Sequence, residues 1–226
     1  SGSGANPILT HGVGTTANAD GVFVIQGADN VTIDGIDIQE PASNTTATTR
    51  AEWAYAVLKC DGSNGSNDVT IQNCNIALTK AYTSNYGVYV AGHGYDNVGV
   101  GYNVTTVTGT AQASRNKALI QNNNINNVYQ PIRLNGNPSS IATTGESLND
   151  SLHAIINNTL TNWAGSSTGA TGIYYANNRK VTIRNNTING TTGTTATLYG
   201  INASSGGWAD ISRNTITLDG SSSTYG

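Results

Sequence analysis

Val181-Thr182-Ile183-Arg184-Asn185-Asn186-Thr187-Ile188 is the stretch that decides the fold. It reads as two short strands joined at a polar bend, with an aliphatic residue on either side of the bend. The same outline returns along the chain at Ile33/Ile38, Ile71/Ile76, Ile120/Ile125, Ile155/Leu160, Ile183/Ile188 and Ile211/Ile216. The third bend position gives the column Ile36, Cys74, Asn123, Asn158, Asn186, Asn214. Self-similarity of this kind marks a solenoid. If each repeat is one coil, equivalent residues lie one strand spacing apart, about 4.8 Å. A carboxamide carries both donor and acceptor, so Asn123, Asn158, Asn186 and Asn214 are expected to form a ladder from coil to coil. Asn also tolerates the left-handed backbone of a sharp bend. The aliphatic pairs then face a narrow apolar interior that no single coil covers alone. Apolar residues at the three-and-four spacing of an amphipathic helix are not sustained over three turns.

The expected class is therefore all-β, a parallel β-helix of about six to seven coils forming one segment over residues 1–226. Strands are expected at Val22–Ile25, Val31–Ile38, Trp53–Cys60, Tyr86–Val90 and Pro131–Leu134. Successive bends are unevenly spaced, which places insertions at about 41–52, 79–118 and 135–150. Within the longest of these, Val98–Val107 alternates as a further strand pair would. The last coils align closely, Gly172-Ile173 with Gly200-Ile201, and Tyr225-Gly226 repeats Tyr199-Gly200. With no Met and no polar cap in the sequence, the chain reads as a fragment of something longer whose open ends meet neighbouring coils.

Composition narrows the partners. The chain has 226 residues, 10% of them charged, a formal charge of −3, 27 Gly and 30 Asn. No Lys/Arg cluster is present to hold a phosphate backbone, so no nucleic-acid partner is expected. No apolar run approaches membrane-spanning length. Cys60 and Cys74 are the two cysteines. They either pair within one coil or stand as two buried thiols.

The bends Val69–Ile76 and Val181–Ile188 resemble the right-handed parallel β-helix repeat of the pectin-lyase-like superfamily, over roughly residues 20–226. That superfamily includes lyases, hydrolases, phage tailspikes and adhesins, so the resemblance implies a fold more than an activity. Ala5-Asn-Pro-Ile8, Asn30–Ile36 and Thr70–Ile76 also resemble large, repetitive cell-surface proteins exported by the type IX secretion system. Asp150-Ser151-Leu152 resembles the short O-glycosylation signal of bacteria with that system. These likenesses imply a secreted protein of the bacterial cell surface, with the secretion machinery among its partners.

Gly92-His93-Gly94 resembles a short motif of polygalacturonases, but their Asn-Thr-Asp, Asp-Asp and Arg-Ile-Lys motifs are absent, and Arg133 sits in Ile-Arg-Leu. Glycoside hydrolysis needs two convergent carboxylates, and Asp96 is the acid nearest His93 in sequence. A pectate-lyase-like Ca²⁺ site needs an acidic wall. Asp34 and Asp37 lie in the first bend, and the stacked equivalents of Asp34 are Gln72, Gln121, Ile156, Arg184 and Ser212. His11, His93 and His153 lack metal-ligand spacing, so no metal centre is expected. The oxygen-rich loop Asp61–Asp68 could take Ca²⁺ through Asp61 and Asp68, though without EF-hand spacing.

Tyr82, Tyr86, Tyr89, Tyr95 and Tyr102 crowd the longest insertion. Exposed rings there would stack on sugars, which makes Tyr86, Tyr89, Tyr95 and His93 the candidate ligand-binding residues for a surface glycan; the plainer alternative is that the rings cover the core with their hydroxyls wet. The function expected is a structural or adhesive, glycan-binding segment with no catalytic residues. The alternative is a polysaccharide lyase or glycoside hydrolase on the same fold.

Overall fold

The computed structural model describes residues 5–14, 20–94, 115–137, 150–165, 168–190, 197–219 and 224–225. After β1 (Ile8–Thr10), the chain winds through β2 (Gly21–Gln26), β3 (Thr32–Asp34) and β4 (Asp37–Gln39). The next coil holds β5 (Trp53–Leu58), β6 (Val69–Gln72) and β7 (Asn75–Ala77), and the third β8 (Tyr86–Ala91), β9 (Ala118–Gln121) and β10 (Asn124–Asn126). The fourth is β11 (Gln130–Asn135), the short β12 (Asp150–Ser151), β13 (Ala154–Ile156) and β14 (Thr159–Trp163). Two regular coils follow: β15 (Ala170–Arg179), β16 (Val181–Arg184) and β17 (Thr187–Gly190), then β18 (Leu198–Gly206), β19 (Ala209–Ser212) and β20 (Thr215–Thr217). The start of a further turn is β21 (Thr224–Tyr225). Equivalent strands pair in parallel into three sheets, β1-β4-β7-β10-β14-β17-β20, β2-β5-β8-β11-β15-β18-β21 and β3-β6-β9-β13-β16-β19. The molecule is a parallel β-helix. Its one described helical turn is a 3₁₀ turn at Ala47–Thr49, so among the described residues no helix is long and apolar enough to cross a membrane.

The register stacks like on like, because a one-residue slip would turn every apolar side chain outward. Ile33, Ile71, Ile120, Ile155, Ile183 and Ile211 lie in one row. Leu9, Ile38, Ile76, Ile125, Leu160, Ile188 and Ile216 lie in a second. The third wall is Phe23, Tyr55, Val88, Ile132, Ile173 and Ile201. The aliphatic pairs are buried from Ile33 to Ile188, whereas Ile211 in the last coil is 45% exposed.

In the third wall the strands carry one extra inward position. A methyl group added at Gly87 would stand 2.7 Å from Ile125 Cγ2, at Gly172 2.6 Å from Ile188 Cγ2, and at Gly200 2.5 Å from Ile216 Cγ2. Each glycine therefore points into the core immediately before an inward Val88, Ile173 or Ile201. Only hydrogen fits where two walls approach this closely. The residue before each glycine, Tyr86, Thr171 or Tyr199, belongs to the outer face as a result.

The bends divide their work between neighbouring residues. The left-handed conformation falls on Gly35, Asn73, Asn122, Asn157, Asn185 and Arg213, with φ between 55° and 67°. The residue after each is the ladder position. Asn158 Oδ1 accepts from Asn123 N at 3.0 Å and Asn123 Nδ2 at 3.1 Å. Asn158 Nδ2 donates to Asn186 Oδ1 at 3.0 Å and to Ile120 O at 2.9 Å. The scheme repeats at Asn186 on Asn214 and ends at Cys74, whose N donates to Asn123 Oδ1 at 3.0 Å. The ladder is thus as expected, but it is the preceding residue, and not the ladder Asn, that takes the left-handed turn.

The long insertion contains β8 as a full member of the second sheet, so the extra length lies between β8 and β9. The strand pair at Val98–Val107 lies outside the described residues, as does most of the 135–150 loop. Neither expectation for the cysteines holds: both are free, Cys60 exposed and Cys74 buried. They sit at different corners of their coil, Cys60 after β5 and Cys74 between β6 and β7. Burial pushes the Cys74 thiol pKa up.

Candidate functional site

The outer face of the second sheet carries an aromatic and cationic stripe running across the coils. The register sets Trp53 beside Tyr86 and Tyr86 beside Gln130. In the next row Ala56, Tyr89, Arg133, Tyr174 and Asn202 follow one another. Tyr89 stacks on Trp53 at 5.2 Å between ring centroids and on Tyr86 at 5.3 Å. The Arg133 guanidinium lies over the rings of Tyr86, at 5.4 Å, and Tyr174, at 4.5 Å. Its Nη1 donates to Gln130 Oε1 at 3.1 Å. Such cation–π contacts are worth about 0.5–2 kcal/mol each and hold the guanidinium plane in place.

The stripe has a buried end and an open end. Trp53, Tyr89 and His93 are buried, with Tyr89 3% exposed. The Tyr89 hydroxyl meets His93 Nε2 at 2.9 Å, and His93 Nδ1 donates to Gly94 O at 2.9 Å. Burial lowers the His93 pKa, the Gly94 carbonyl opposing it. The ring is therefore neutral near pH 7, accepting from Tyr89 and donating to the backbone. Glu52, fully buried beside Trp53, accepts from Asp20 N at 2.7 Å and from the Tyr82 hydroxyl at 2.9 Å. Tyr86, Arg133 and Tyr174 are half-buried, and Tyr199 is exposed.

Of the sequence candidates, Tyr86, Tyr89 and His93 come together here, whereas Tyr95 lies outside the described residues, as does Asp96. Tyr89 and His93 form the underlying layer; Tyr86 is the reachable member. The sequence reading missed Trp53, Gln130, Arg133 and Tyr174 as members, because they come from other coils. The register of the third wall, Val88 with Ile132 and Ile173, is what carries Tyr89 onto Arg133 and Tyr174.

The other candidates are dispersed. Asp61 Oδ1 caps its own loop, accepting from Ser63 N at 2.7 Å, Ser63 Oγ at 2.8 Å and Asn64 N at 3.0 Å. Those donors, led by the Ser63 N–H, lower its pKa. Asp68 pairs with Lys117 at 2.5 Å. Asp34 accepts from Asn73 and Gln72, which lower its pKa in that order, and Asp37 from Asn6 and Asn75. Among the described residues, no group of three or more His, Cys, Asp or Glu side chains is placed to hold a metal ion.

A second polar column, also missed, runs inside the corner before the third sheet. Ser66 N donates to Asn116 Oδ1 at 2.9 Å, and Asn116 N to Asp150 Oδ1 at 2.8 Å. Asn116 Nδ2 donates to Ala91 O at 2.6 Å and Asp150 Oδ2 at 3.2 Å. Lys59 Nζ reaches Asp150 Oδ1 at 2.6 Å, and both side chains are 0% exposed. His153 is buried nearby, its Nδ1 accepting from Ala118 N at 3.1 Å. Burial holds its pKa down at about 4 against the pull of Asp150.

Comparison with known proteins found no matching family model, curated protein or solved structure.

Proposed function

We propose that this chain is a structural and adhesive β-helix module of a secreted bacterial cell-surface protein, and that it binds glycan along the Tyr86–Arg133–Tyr174 stripe. The observation that carries the reading is Arg133 held over two tyrosine rings at 5.4 and 4.5 Å on a half-open sheet face. Aromatic rings offer apolar faces to the C–H faces of sugars, with hydroxyls for polar contacts. A fixed guanidinium adds donors in a fork that suits sugar hydroxyls and carboxylates. From Tyr86 to Tyr199 the stripe crosses three coil spacings, about 14 Å, room for a short run of sugar rings. Parallel coils on rigid rows present these groups at fixed intervals, as an extended polymer requires.

A binding role without turnover is supported by how the nearby acids are used. Glu52 is engaged by Asp20 and Tyr82, and Asp150 by Lys59 and Asn116. The test is affinity for a panel of neutral and acidic polysaccharides, with reducing-end release measured in parallel. Arg133→Ala and Tyr174→Ala are expected to weaken binding at least tenfold while the fold is kept. Binding that is indifferent to both substitutions would sink the stripe. Turnover that disappears in His93→Ala would favour the polysaccharide-degrading alternative.

A further inference from the structure

The corner column places a carboxylate, at Asp150, where the coils before it carry the hydroxyl of Ser66 and the amide of Asn116. Ser66, Asn116 and Asp150 follow the same scheme as the Asn ladder, the backbone N–H of one coil donating to the side-chain oxygen of the next. At Asp150 that oxygen also receives Lys59 Nζ at 2.6 Å, and the other oxygen receives Asn116 Nδ2 at 3.2 Å. Lys59 comes from the end of β5, two coils away, and is anchored by its own N–H to His93 O at 3.1 Å. Both partners have no solvent contact. An ammonium and a carboxylate buried together suffer a large desolvation penalty.

From this geometry we propose that Lys59 and Asp150 join covalently, as an intramolecular isopeptide bond between Nζ and the Asp150 side-chain carbonyl. The inference stands independently of glycan binding. A nitrogen 2.6 Å from a carboxyl oxygen lies within about 4 Å of the carboxyl carbon, so a rotation of the carboxyl group presents the face of that carbon to it. In this step one ammonium proton passes to the carboxylate and the resulting amine adds to Cγ. The charge that develops on oxygen is met by the two N–H donors of Asn116, already aimed at both Asp150 oxygens. The N–C bond forms, one C–O bond breaks, and the oxygen leaves with two protons as water. Ammonium plus carboxylate thus becomes amide plus water, with no oxidation and no co-reactant. The product exchanges a buried ion pair for a neutral amide whose one remaining oxygen keeps one of the two Asn116 bonds. It would tie the second coil to the fourth across a 91-residue separation.

The experiment is the intact mass of the purified chain under denaturing conditions, followed by peptide mapping. Expected is a mass about 18 Da below that of the sequence, with a branched peptide joining Lys59 to Asp150. Lys59→Arg and Asp150→Ala are each expected to return to the full mass of their own sequences, folded or not. Wild-type chain at full mass would overturn the proposal, leaving an ordinary buried ion pair. So would a loss of about 17 Da, which is ammonia and places the link on Asn116. A loss of 18 Da that survives in Lys59→Arg would also overturn it, since a cyclised Asp elsewhere accounts for that.

Discussion

Replacing Asn158 with Leu tests the ladder at its best-bonded rung. The side chain is 1% exposed and makes four hydrogen bonds, two accepted from Asn123 and two donated, to Asn186 Oδ1 and Ile120 O. Leu has the same branched outline with bulkier methyl ends, and makes none of them. The Asn123 N–H, itself buried, loses its acceptor, at a cost of about 1–3 kcal/mol. Asn123 Nδ2 keeps Ile71 O at 2.9 Å, and Asn186 Oδ1 keeps the Asn158 N–H at 2.9 Å. Those losses are partial, so together with Ile120 they add roughly 1–2 kcal/mol. The expected destabilisation is about 2–5 kcal/mol, read as a shift in urea midpoint at unchanged slope. Asn158→Asp separates bonding from volume. One oxygen still accepts from Asn123, while the other faces two acceptors and needs a proton. Burial beside those acceptors raises the carboxyl pKa of the folded variant. Its stability is therefore nearest wild type below about pH 4, and is lost as pH rises through the folded value. An Asn158→Leu protein within 1 kcal/mol of wild type, or an Asn158→Asp protein indifferent to pH, would refute the ladder as a source of stability.

Gly172→Ala should cost about 1–3 kcal/mol by overpacking, since the methyl meets Ile188 Cγ2 at 2.6 Å and Gly200 O at 2.8 Å; thermal unfolding checks it, with partial recovery expected in Gly172→Ala/Ile188→Val. Burial holds the pKa of His153, which faces Asp150, Lys59 and Arg115, down at about 4 in the folded chain, against its ordinary value of about 6.5 when unfolded. The unfolded chain alone takes up that proton, so stability falls as pH drops through this window, by up to about 3 kcal/mol. Denaturant unfolding of His153→Gln should lack that component. Lys117→Ala removes a pair with Asp68 whose side chains are 34% and 51% exposed, so its cost should stay below about 1 kcal/mol and vanish in high salt.

What could be read from the sequence was whatever repeats at one fixed place in each coil. Ile183 and Ile188 flank a bend of constant length, so their rows and the Asn column survive every insertion between coils. The stripe obeys a different rule. Tyr86 and Tyr89 are three apart in one strand, and simple alternation would put them on opposite faces. They share a face because Gly87 and Val88 both turn inward, a shift set by the distance to Ile125 in another wall. Nothing local to β8 announces that distance. Arg133 and Tyr174 join Tyr89 only through the pairing of β8, β11 and β15. The corner column lies between these cases. Ser66 and Asp150 each stand eight residues before the ladder position of their coil, and Asn116 seven before Asn123. The spacing is regular, but the chemistry of the slot is not, because a corner N–H needs only an oxygen to accept it. Ser, Asn and Asp all supply one, and residue identity therefore drifts where geometry does not. Asp is the costly choice among them, because it brings a charge into a dry corner. Lys59 meets that charge from two coils away, as a fully buried Lys in a strand-end position that no repeat would have singled out.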